Sequence, residues 1–430
     1  MAKYFEGLII IFSCLGFSLH AQQVQKLTQQ EAEALFLQQN LELIAQQYNI
    51  NIADASATQA KLWENPTLSI SQLNFWSTSS QREGIDEVIP PLFGNFGKNT
   101  EFSIELSQFV QIAGQRRKLM KMEKIGKEMA IEEFEDILRS LKAELRKSIF
   151  ELVYLQDYRK TIFSQTEVLS KLIDNHQKQV SLGNISKSEL LRLQSSFLEL
   201  ENELYDVEIA YNELQKTLKI LLNIHPQIIL EIEAVEKEYK NPADIPLESL
   251  FNQAEISRPD LKYYQFQTQY FEKSIAYEKS QRAPNFEISV NYDRYGGVWK
   301  NFVGFGLSLD LPILNQNQGN IRIARYNKEQ SEYQLKQQQN IVKQEIVQAF
   351  NNYSAVYDFF VKINNNTLLG DLDNMLGVYE ENLLMRNISM LEYIDFMESY
   401  KNNKQTMLSI RKNIGYQFEE LQYVVGEEIR

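Results

Sequence analysis

The feature that most constrains the fold of this chain is a pattern that occurs twice along it. Pro66 and Pro284, each after a predicted helix, are separated by 218 residues. Further along, residues 182–186 (LGNIS) recur as residues 385–389 (MRNIS) at an offset of 203. A duplication of this length indicates one structural unit that is used twice in a single chain.

Each copy is predicted to run helix, strand, hairpin, strand, very long helix, tight turn and helix. The first copy covers residues 22–222 and the second covers residues 247–430. Residues 223–246 form the linker, which contains three prolines and is expected to form an irregular belt.

Residues 1–21 read as a secretory signal that is not part of the fold. Lys3 lies in a basic n-region, residues 8–17 are apolar, and Ala21 supplies the small residue at a cleavage site. Cys14 is the single cysteine and lies in the apolar stretch. We interpret it as filler that is removed with the signal, with lipidation as the alternative. The mature chain would then have no disulfide and no thiolate metal site.

The formal net charge of −13 argues against a nucleic-acid surface, which is normally basic. It is compatible with the handling of cations and equally with plain solubility. Beyond the signal, no stretch reaches the roughly 20 apolar residues that a membrane-spanning helix needs. An exported chain without such a helix is either soluble or spans a membrane as a closed β-barrel.

Four short segments alternate apolar and polar residues with period two, which places the apolar side chains of each strand on one face. They begin near Leu68, Phe102, Phe286 and Val303. Each is about nine residues long, as a tilted membrane strand must be. Aromatic residues cluster at their ends, as in membrane interfaces; these are Phe75, Trp76, Tyr292, Tyr295, Trp299 and Phe302. A half-buried soluble sheet shows the same alternation, so both interpretations stay open.

The polar face of these strands carries Glu105, Glu287 and Asp310, which suits a water-filled lumen. Four strands cannot close a barrel, and open sheet edges are not tolerated in lipid. Membrane strands would therefore have to be pooled by several chains. The second hairpin has a compact tip at 296–297, and the first is longer by 17 residues around Pro90.

A helical run without proline follows each hairpin, at roughly 116–181 and 319–384. Apolar residues in both runs, and in 197–221, recur at spacings of three and four, which is the coiled-coil pattern. We interpret these stripes as core rather than as cofactor sites. Helices on the order of 95 Å long are expected to form a rod or a tube wall, with strands at one pole and the tight turns at the other.

These motifs, in this order, are similar to those of a known family. They are Leu27-Thr28 with Glu31-Ala32, Asn65-Pro66, Leu106-Ser107-Gln108, Ala283-Pro284 and the two turns. The chain resembles the outer-membrane efflux proteins typified by TolC over nearly all of its mature length. Residues 306–319 resemble the heavy-metal branch, the CzcC and CusC type.

The resemblance implies a mainly α fold with membrane β-strands, in which three chains pool four strands each into a twelve-stranded β-barrel continued by a periplasmic α-barrel. It implies a homotrimer in outer-membrane lipid that extends into the periplasm and has no cofactor. Its partners would be a periplasmic adaptor (membrane fusion) protein and an inner-membrane pump of the resistance–nodulation–division class. The chain would be a passive exit duct, for heavy-metal cations or, alternatively, for drugs and other organic compounds.

The resemblance also places a periplasmic gate just past the second turn, as two acidic residues that are three apart on one helix face. Glu392 and Asp395 occupy these positions. In a trimer they would form a ring of carboxylates, and because like charges repel, protonation or metal binding would favour closing it. The alternative is that both carboxylates lie on a solvated outer face.

The first copy carries Glu189 and Arg192 at the matching positions, and these two side chains can pair with each other. The family has a basic closing residue on the second turn where this chain has Ile388, so Arg386 is the candidate substitute. The second turn also lacks the glycine of the family, which leaves its geometry open.

The turns Ser181-Leu182-Gly183 and Leu384-Met385-Arg386 would dock the hairpin of the adaptor. Turn geometry alone is the alternative, and it accounts for Gly183 but not for an exposed Leu384-Met385.

Enzyme chemistry is not indicated, because the sequence past the signal has only His176 and His225 and no metalloprotease or nucleotide-binding motif. Two other classes stay open: a secreted coiled-coil structural protein and the periplasmic adaptor itself. The strands with aromatic ends favour a duct over the first. The duplication, and the lack of a lipoyl-like β segment, disfavour the second.

Overall fold

The computed structural model describes residues 23–74, 101–233, 237–294, 301–364 and 368–429. The signal segment with Cys14, the aromatic pair Phe75 and Trp76, the long first loop and the second hairpin tip lie outside this part. The predictions made for those residues therefore stay predictions.

The helices are α1 (Gln29–Gln39), α2 (Leu41–Gln59), α3 (Gln115–Ser181), α4 (Lys187–Leu222), α5 (Leu247–Ser257), α6 (Pro259–Ser280), α7 (Gln318–Asn364), α8 (Leu368–Leu384) and α9 (Met390–Val425). The strands are β1 (Val24–Leu27), β2 (Thr67–Asn74), β3 (Glu101–Val110), β4 (Ile229–Ile232), β5 (Phe286–Arg294) and β6 (Asn301–Leu309). None of the helices in these ranges is both long and apolar enough to cross a membrane.

The same order of elements occurs twice. Two helices, two strands and a long helix run from α1 to α3, and again from α5 to α7. Both long helices start after a left-handed residue, Gly114 at φ 68° and Asn317 at φ 57°, which are 203 residues apart. The first long run is unbroken over Gln115–Ser181, as predicted, and the second is described as α7 and α8 with residues 365–367 between them outside the described part.

The described chain packs as two compact units. One consists of Met1–Leu41, Leu141–Pro242 and Asn352–Glu419, and the other of Glu42–Ser140, Ala243–Asn351 and Glu420–Arg430. The predicted apolar stripes are buried over part of their length, and other members, such as Val356 and Phe360, are half-buried. The buried members include Leu145, Leu152, Leu200, Val207, Tyr211, Leu218, Val342, Ile346, Ala349 and Tyr353. Since burial of apolar area is stabilising by about 25 cal/mol per Å², these stripes are a major source of stability.

The linker between the copies is not irregular throughout, so that expectation is wrong for part of it. Residues Ile229–Ile232 form β4, which pairs in parallel with β1. Its outer edge is occupied by two glutamine side chains. Gln215 donates to Leu230 O at 2.6 Å and accepts from Leu230 N at 3.0 Å, and Gln156 makes the same pair of bonds with Ile232, both at 3.0 Å. The side-chain amides thereby satisfy a backbone edge that would otherwise lack partners.

A polar side chain between the first two helices of each copy contacts the end of the last helix of that copy. Asn40 Nδ2 donates to Leu221 O at 2.9 Å, and Arg258 Nη1 donates to Val424 O at 2.7 Å. Asn40 and Arg258 have nearly the same backbone angles, φ −63°, ψ 117° and φ −68°, ψ 121°. Their offset is 218 and that of their acceptors is 203, the two offsets already seen in the sequence.

Candidate functional surfaces: the four-stranded sheet and the two helix turns

Four of the strands form one antiparallel sheet in the order β2-β3-β5-β6. β2 and β3 come from the first copy and β5 and β6 from the second, and the two copies join at β3–β5 with Leu106 opposite Val290. β2 and β6 form the sheet edges, and neither has a further partner strand among the described residues.

One face of this sheet is apolar across all four strands. Residues directly opposite each other in an antiparallel pair lie on the same face. The register sets Leu68 opposite Leu106, Ile70 opposite Ile104, Ile104 opposite Tyr292, Val290 opposite Phe305 and Ile288 opposite Leu307. Ile104 and Tyr292, on the two central strands, are half-buried, and the other side chains are solvent-exposed in the single chain; Phe305 is 84% exposed and Leu307 is 73% exposed. A contiguous exposed apolar surface of this kind marks an interface with protein or lipid.

The other face is polar and closely packed. Glu105 lies opposite Asn291, and Glu287 lies opposite Ser308. Gly304 and Gly306 lie close to β5 on this face, and a Cβ at either position would come within 2.4 Å of a side-chain oxygen of Asn291 or Ser289, which would have to move. The third predicted polar residue, Asp310, is not in the strand as expected. It lies one residue past β6, where its N–H donates to Asn285 O at 3.3 Å.

The two helix turns have the same hydrogen-bond pattern. In the first, Gly183 N donates to Val180 O at 3.0 Å and Asn184 N donates to Gln179 O at 2.9 Å. In the second, Arg386 N donates to Leu383 O at 3.1 Å and Asn387 N donates to Asn382 O at 2.8 Å. These are the paired bonds of a Schellman turn, which needs one left-handed residue.

Gly183 supplies the left-handed residue at φ 74° in the first turn, and Arg386 supplies it at φ 60° in the second. The missing glycine therefore does not change the geometry of the second turn. It costs about 1–2 kcal/mol of backbone strain, because Arg386 carries a Cβ in this conformation.

Both turns expose apolar side chains to solvent. Leu182 is 70% exposed and Met385 is 68% exposed, and Ser181 and Arg386 are also exposed. The side chain of Leu384 lies outside the described part.

Glu392, one of the two predicted gate residues, is part of the N-terminal cap of α9. Ser389 N donates to Glu392 Oε2 at 2.7 Å, and Glu392 N donates to Ser389 Oγ at 3.2 Å, which together form a capping box. The bond from the backbone of Ser389 is the main cause that lowers the pKa of the Glu392 carboxyl. Asp395 lies one turn further along and is exposed. The motif S-x-x-E at 389–392 could have revealed this cap from sequence.

The first copy lacks the reciprocal arrangement. Glu189 N donates to Ser186 Oγ at 3.3 Å, but no bond from Ser186 N to the Glu189 carboxylate is present in this described segment. Glu189 and Arg192, which were expected to be able to pair, form no ion pair in the described chain, and both are exposed. Within the described single chain, no hydrogen bond or ion pair therefore links one predicted gate residue to another.

The comparisons with known proteins agree with this architecture. Residues 34–223 match the family model of outer membrane efflux proteins. Among solved structures, CusC is 16% identical, with a TM-score of 0.70 over 93% of this chain and 92% of that one. The CmeC outer membrane channel of Campylobacter jejuni is 14% identical, with a TM-score of 0.74 over 93% and 85%. The outer membrane protein VceC of Vibrio cholerae is 14% identical, with a TM-score of 0.70 over 94% and 97%.

No curated protein sequence matches the chain. The family match lies almost wholly within the first copy, and the shared fold extends through the second. Residues 34–223 are therefore similar to the outer membrane efflux proteins, and the chain as a whole has a TolC-like fold.

Proposed function

We propose that three copies of this chain form the exit duct of a tripartite efflux system in the outer membrane. The observation that carries the proposal is the sheet, which has an exposed apolar face on all four strands and an open edge at β2 and at β6. An apolar face of this extent suits lipid, and open edges in lipid require further strands. Pooling the sheets of three copies into a twelve-stranded barrel satisfies both requirements.

In this arrangement the polar face lines the lumen. Glu105 and Glu287 would face the water-filled interior, and Asp310 would lie at the end of the barrel that joins the helices. Barrel strands of this kind alternate apolar residues toward lipid with polar residues toward the channel. The small glycines at 304 and 306 leave room for the packed polar side chains of β5.

The two helix turns would dock a periplasmic adaptor, which in turn would join an inner-membrane pump of the resistance–nodulation–division class. Support comes from Leu182 and Met385, whose apolar side chains protrude at equivalent positions of two matching turns. The duct would be passive, with the energy supplied by the pump.

Glu392 and Asp395 of all three chains would form the gate ring at the periplasmic entrance. Glu189 and Arg192 would lie beside them, and Arg386 would be the closing residue. In the single chain Glu392 is fixed by its bond to Ser389, and Asp395 is free to rotate into a ring. We infer that Asp395 is the more mobile of the two carboxylates and Glu392 the anchored one.

Heavy-metal cations are our proposed cargo, on the basis of the segment 306–319 that resembles the heavy-metal branch and the similarity of fold to CusC. General efflux of drugs or other organic compounds is the second candidate, since a passive conduit need not recognise what passes through it.

The architecture is tested by fractionating cells that express the full chain, followed by gel electrophoresis with and without heating. A duct is expected in the outer-membrane fraction as a trimer that dissociates on heating, and it should conduct ions in a planar bilayer. Recovery from the culture medium as a water-soluble coiled-coil protein would overturn the proposal in favour of a secreted structural protein.

A further inference from the structure

A second surface feature lies where the sheet meets the helices. The ends of α2 and α6 and the starts of α3 and α7 are joined there by direct contacts. The Arg116 guanidinium lies 3.8 Å over the ring of Trp63, and Gln115 Nε2 donates to Ser280 O at 3.1 Å. Asn317 Nδ2 donates to Glu278 O at 3.0 Å. These contacts bring four chain segments together at one end of the sheet.

Basic residues are concentrated at this end of the sheet, although the chain as a whole has a net charge of −13. We name them the basic collar: Lys61, Arg116, Arg117, Lys118, Lys121, Lys279, Arg282, Arg322 and Arg325. Most are solvent-exposed, and within the described ranges none of the nine is in an ion pair. Many other basic residues, such as Lys127 with Asp54 and Lys273 with Glu272, do have acidic partners.

The position of the collar on α3 is unfavourable for the isolated fold. Arg116, Arg117 and Lys118 lie in the first turn of a long helix that has no acidic residue in that turn. The positive end of the helix dipole disfavours cations there. The three basic residues therefore do not stabilise the start of α3. Binding of an external anion would explain their presence there.

Exposed apolar side chains lie beside the collar. Trp63 is exposed next to Arg116, and Leu314, between β6 and α7, is 91% exposed. Tryptophan with basic residues at the edge of an apolar surface is typical of the boundary between the acyl chains and the headgroups of a membrane. The collar follows the end of the sheet closely along the chain, since β3 ends at Val110 and α3 begins at Gln115.

We propose that the basic collar binds the phosphate headgroups of anionic phospholipids in the periplasmic leaflet of the outer membrane. This rests on the proposed function, because the sheet must lie in the membrane for the collar to reach that leaflet. The collar then fixes the depth of the barrel in the bilayer, and the exposed Trp63 and Leu314 enter the boundary region.

The test uses the full chain reconstituted into phosphatidylcholine vesicles, with Trp63 kept as the single tryptophan by Trp76→Phe and Trp299→Phe. Quenching of Trp63 fluorescence by brominated phosphatidylglycerol is compared with quenching by brominated phosphatidylcholine. The collar variant is Arg117→Gln/Lys121→Gln/Arg325→Gln. The control, Lys216→Gln/Lys343→Gln/Lys362→Gln, removes three exposed basic residues that do not belong to the collar and changes the net charge equally.

We expect stronger quenching by the anionic lipid, suppressed by salt. Because each Lys or Arg near an anionic membrane surface is worth about fivefold in binding, the collar variant should lower the preference at least about fivefold, and the control should leave it unchanged. Equal quenching by both lipids, or an equal loss in both variants, would overturn the collar. Extraction of the vesicles at alkaline pH separates the two proposals. A chain that resists extraction but shows no lipid preference refutes only the collar, whereas a chain that is extracted refutes the membrane placement itself.

Discussion

At the residue scale, Arg258 is the clearest case of a charged side chain that the fold requires. It is 2% exposed, and its guanidinium donates to Asp260 at 2.9 and 2.6 Å, to Glu345 at 2.8 Å and to Val424 O at 2.7 Å. Burial by itself raises the pKa of Asp260, but the bonds and charge of Arg258 outweigh this and hold the pKa below its usual value. Arg258 therefore connects α6, α7 and the last turn of α9 within one unit.

We expect Arg258→Leu to lower the free energy of unfolding by about 3–5 kcal/mol, because it removes the main cation beside the mostly buried Asp260 and leaves only Arg139, at 3.9 Å. Arg322→Leu, which removes an exposed arginine without an ionic partner, is the matched control and should have little effect. In the wild type, the stability supplied by Asp260 is present above its unfolded pKa of about 3.9 and is lost as the pH falls through its lower folded pKa. Thermal unfolding of both variants between pH 3 and 7, followed by circular dichroism, measures this; equal midpoints for the two variants would contradict it.

Glu392 combines a structural bond with a proposed gate charge, and two substitutions separate them. Ser389→Ala removes the cap of α9 and should cost about 1 kcal/mol of stability while keeping the carboxylate. Glu392→Gln keeps a side chain that can complete a capping box but removes the charge. If the charge belongs to a gate ring, only Glu392→Gln should change cation selectivity in planar bilayers, and Asp395→Asn should change it further. Identical conductance in all three variants would leave Glu392 as a cap alone.

At the scale of elements, the second helix turn bears a cost that the first does not. Arg386 occupies a left-handed position where the first turn has glycine. We expect Arg386→Gly to raise the midpoint of thermal unfolding slightly, because the relief of about 1–2 kcal/mol of strain is partly offset by the greater conformational entropy that glycine gives the unfolded chain. If Arg386 also closes the gate, the same variant should be leaky, with increased uptake of large antibiotics by cells. Gly183→Ala, the matched change in the first turn, should instead lower stability.

The two faces of β6 should respond differently to the same substitution. Phe305 lies on the apolar face and Ser308 on the polar face. Phe305→Lys should cost about 2–4 kcal/mol if the residue faces the middle of a bilayer, and it should reduce the yield of heat-dissociable trimer. Ser308→Lys, on the lumen side, should leave the yield nearly unchanged. Loss of trimer with Ser308→Lys but not with Phe305→Lys would mean that the faces are assigned the wrong way round.

Sequence reasoning found the strands and long helices because their periodic patterns are local and extend over many residues. Phe102, Ile104 and Leu106 predicted β3, and the stripe from Val342 to Tyr353 predicted the buried side of α7. It did not find β4, because this strand is four residues long and its partner β1 is about 200 residues away. Nor could it assign the left-handed conformation to Arg386, since a residue with a Cβ adopts it only when the rest of the turn requires it.

At the scale of the whole molecule, the duplication explains how one chain supplies a complete four-stranded sheet and two equivalent turns. The copies have nonetheless diverged at chemically important positions. Gly183 corresponds to Arg386 and Asn40 to Arg258, whereas Glu189 and Glu392 are the same residue with different hydrogen bonds. In each pair the second copy carries the group with more charge or more hydrogen bonds. We infer that the proposed gate depends mainly on the second copy, while the first supplies matching structure.

The cargo is best decided in living cells. A strain that lacks the gene is complemented with the wild type, with Glu392→Ala/Asp395→Ala, or with Glu398→Ala/Glu420→Ala, which removes two other acidic residues of α9. Because a carboxylate ring attracts cations, we expect the deletion strain to become sensitive to zinc, cobalt, cadmium, copper or silver, and the gate variant to restore tolerance less completely than the control variant. Sensitivity to dyes and detergents with normal metal tolerance would instead identify a duct for organic compounds. Full tolerance of the deletion strain to every compound would contradict an efflux role and would leave only the fold.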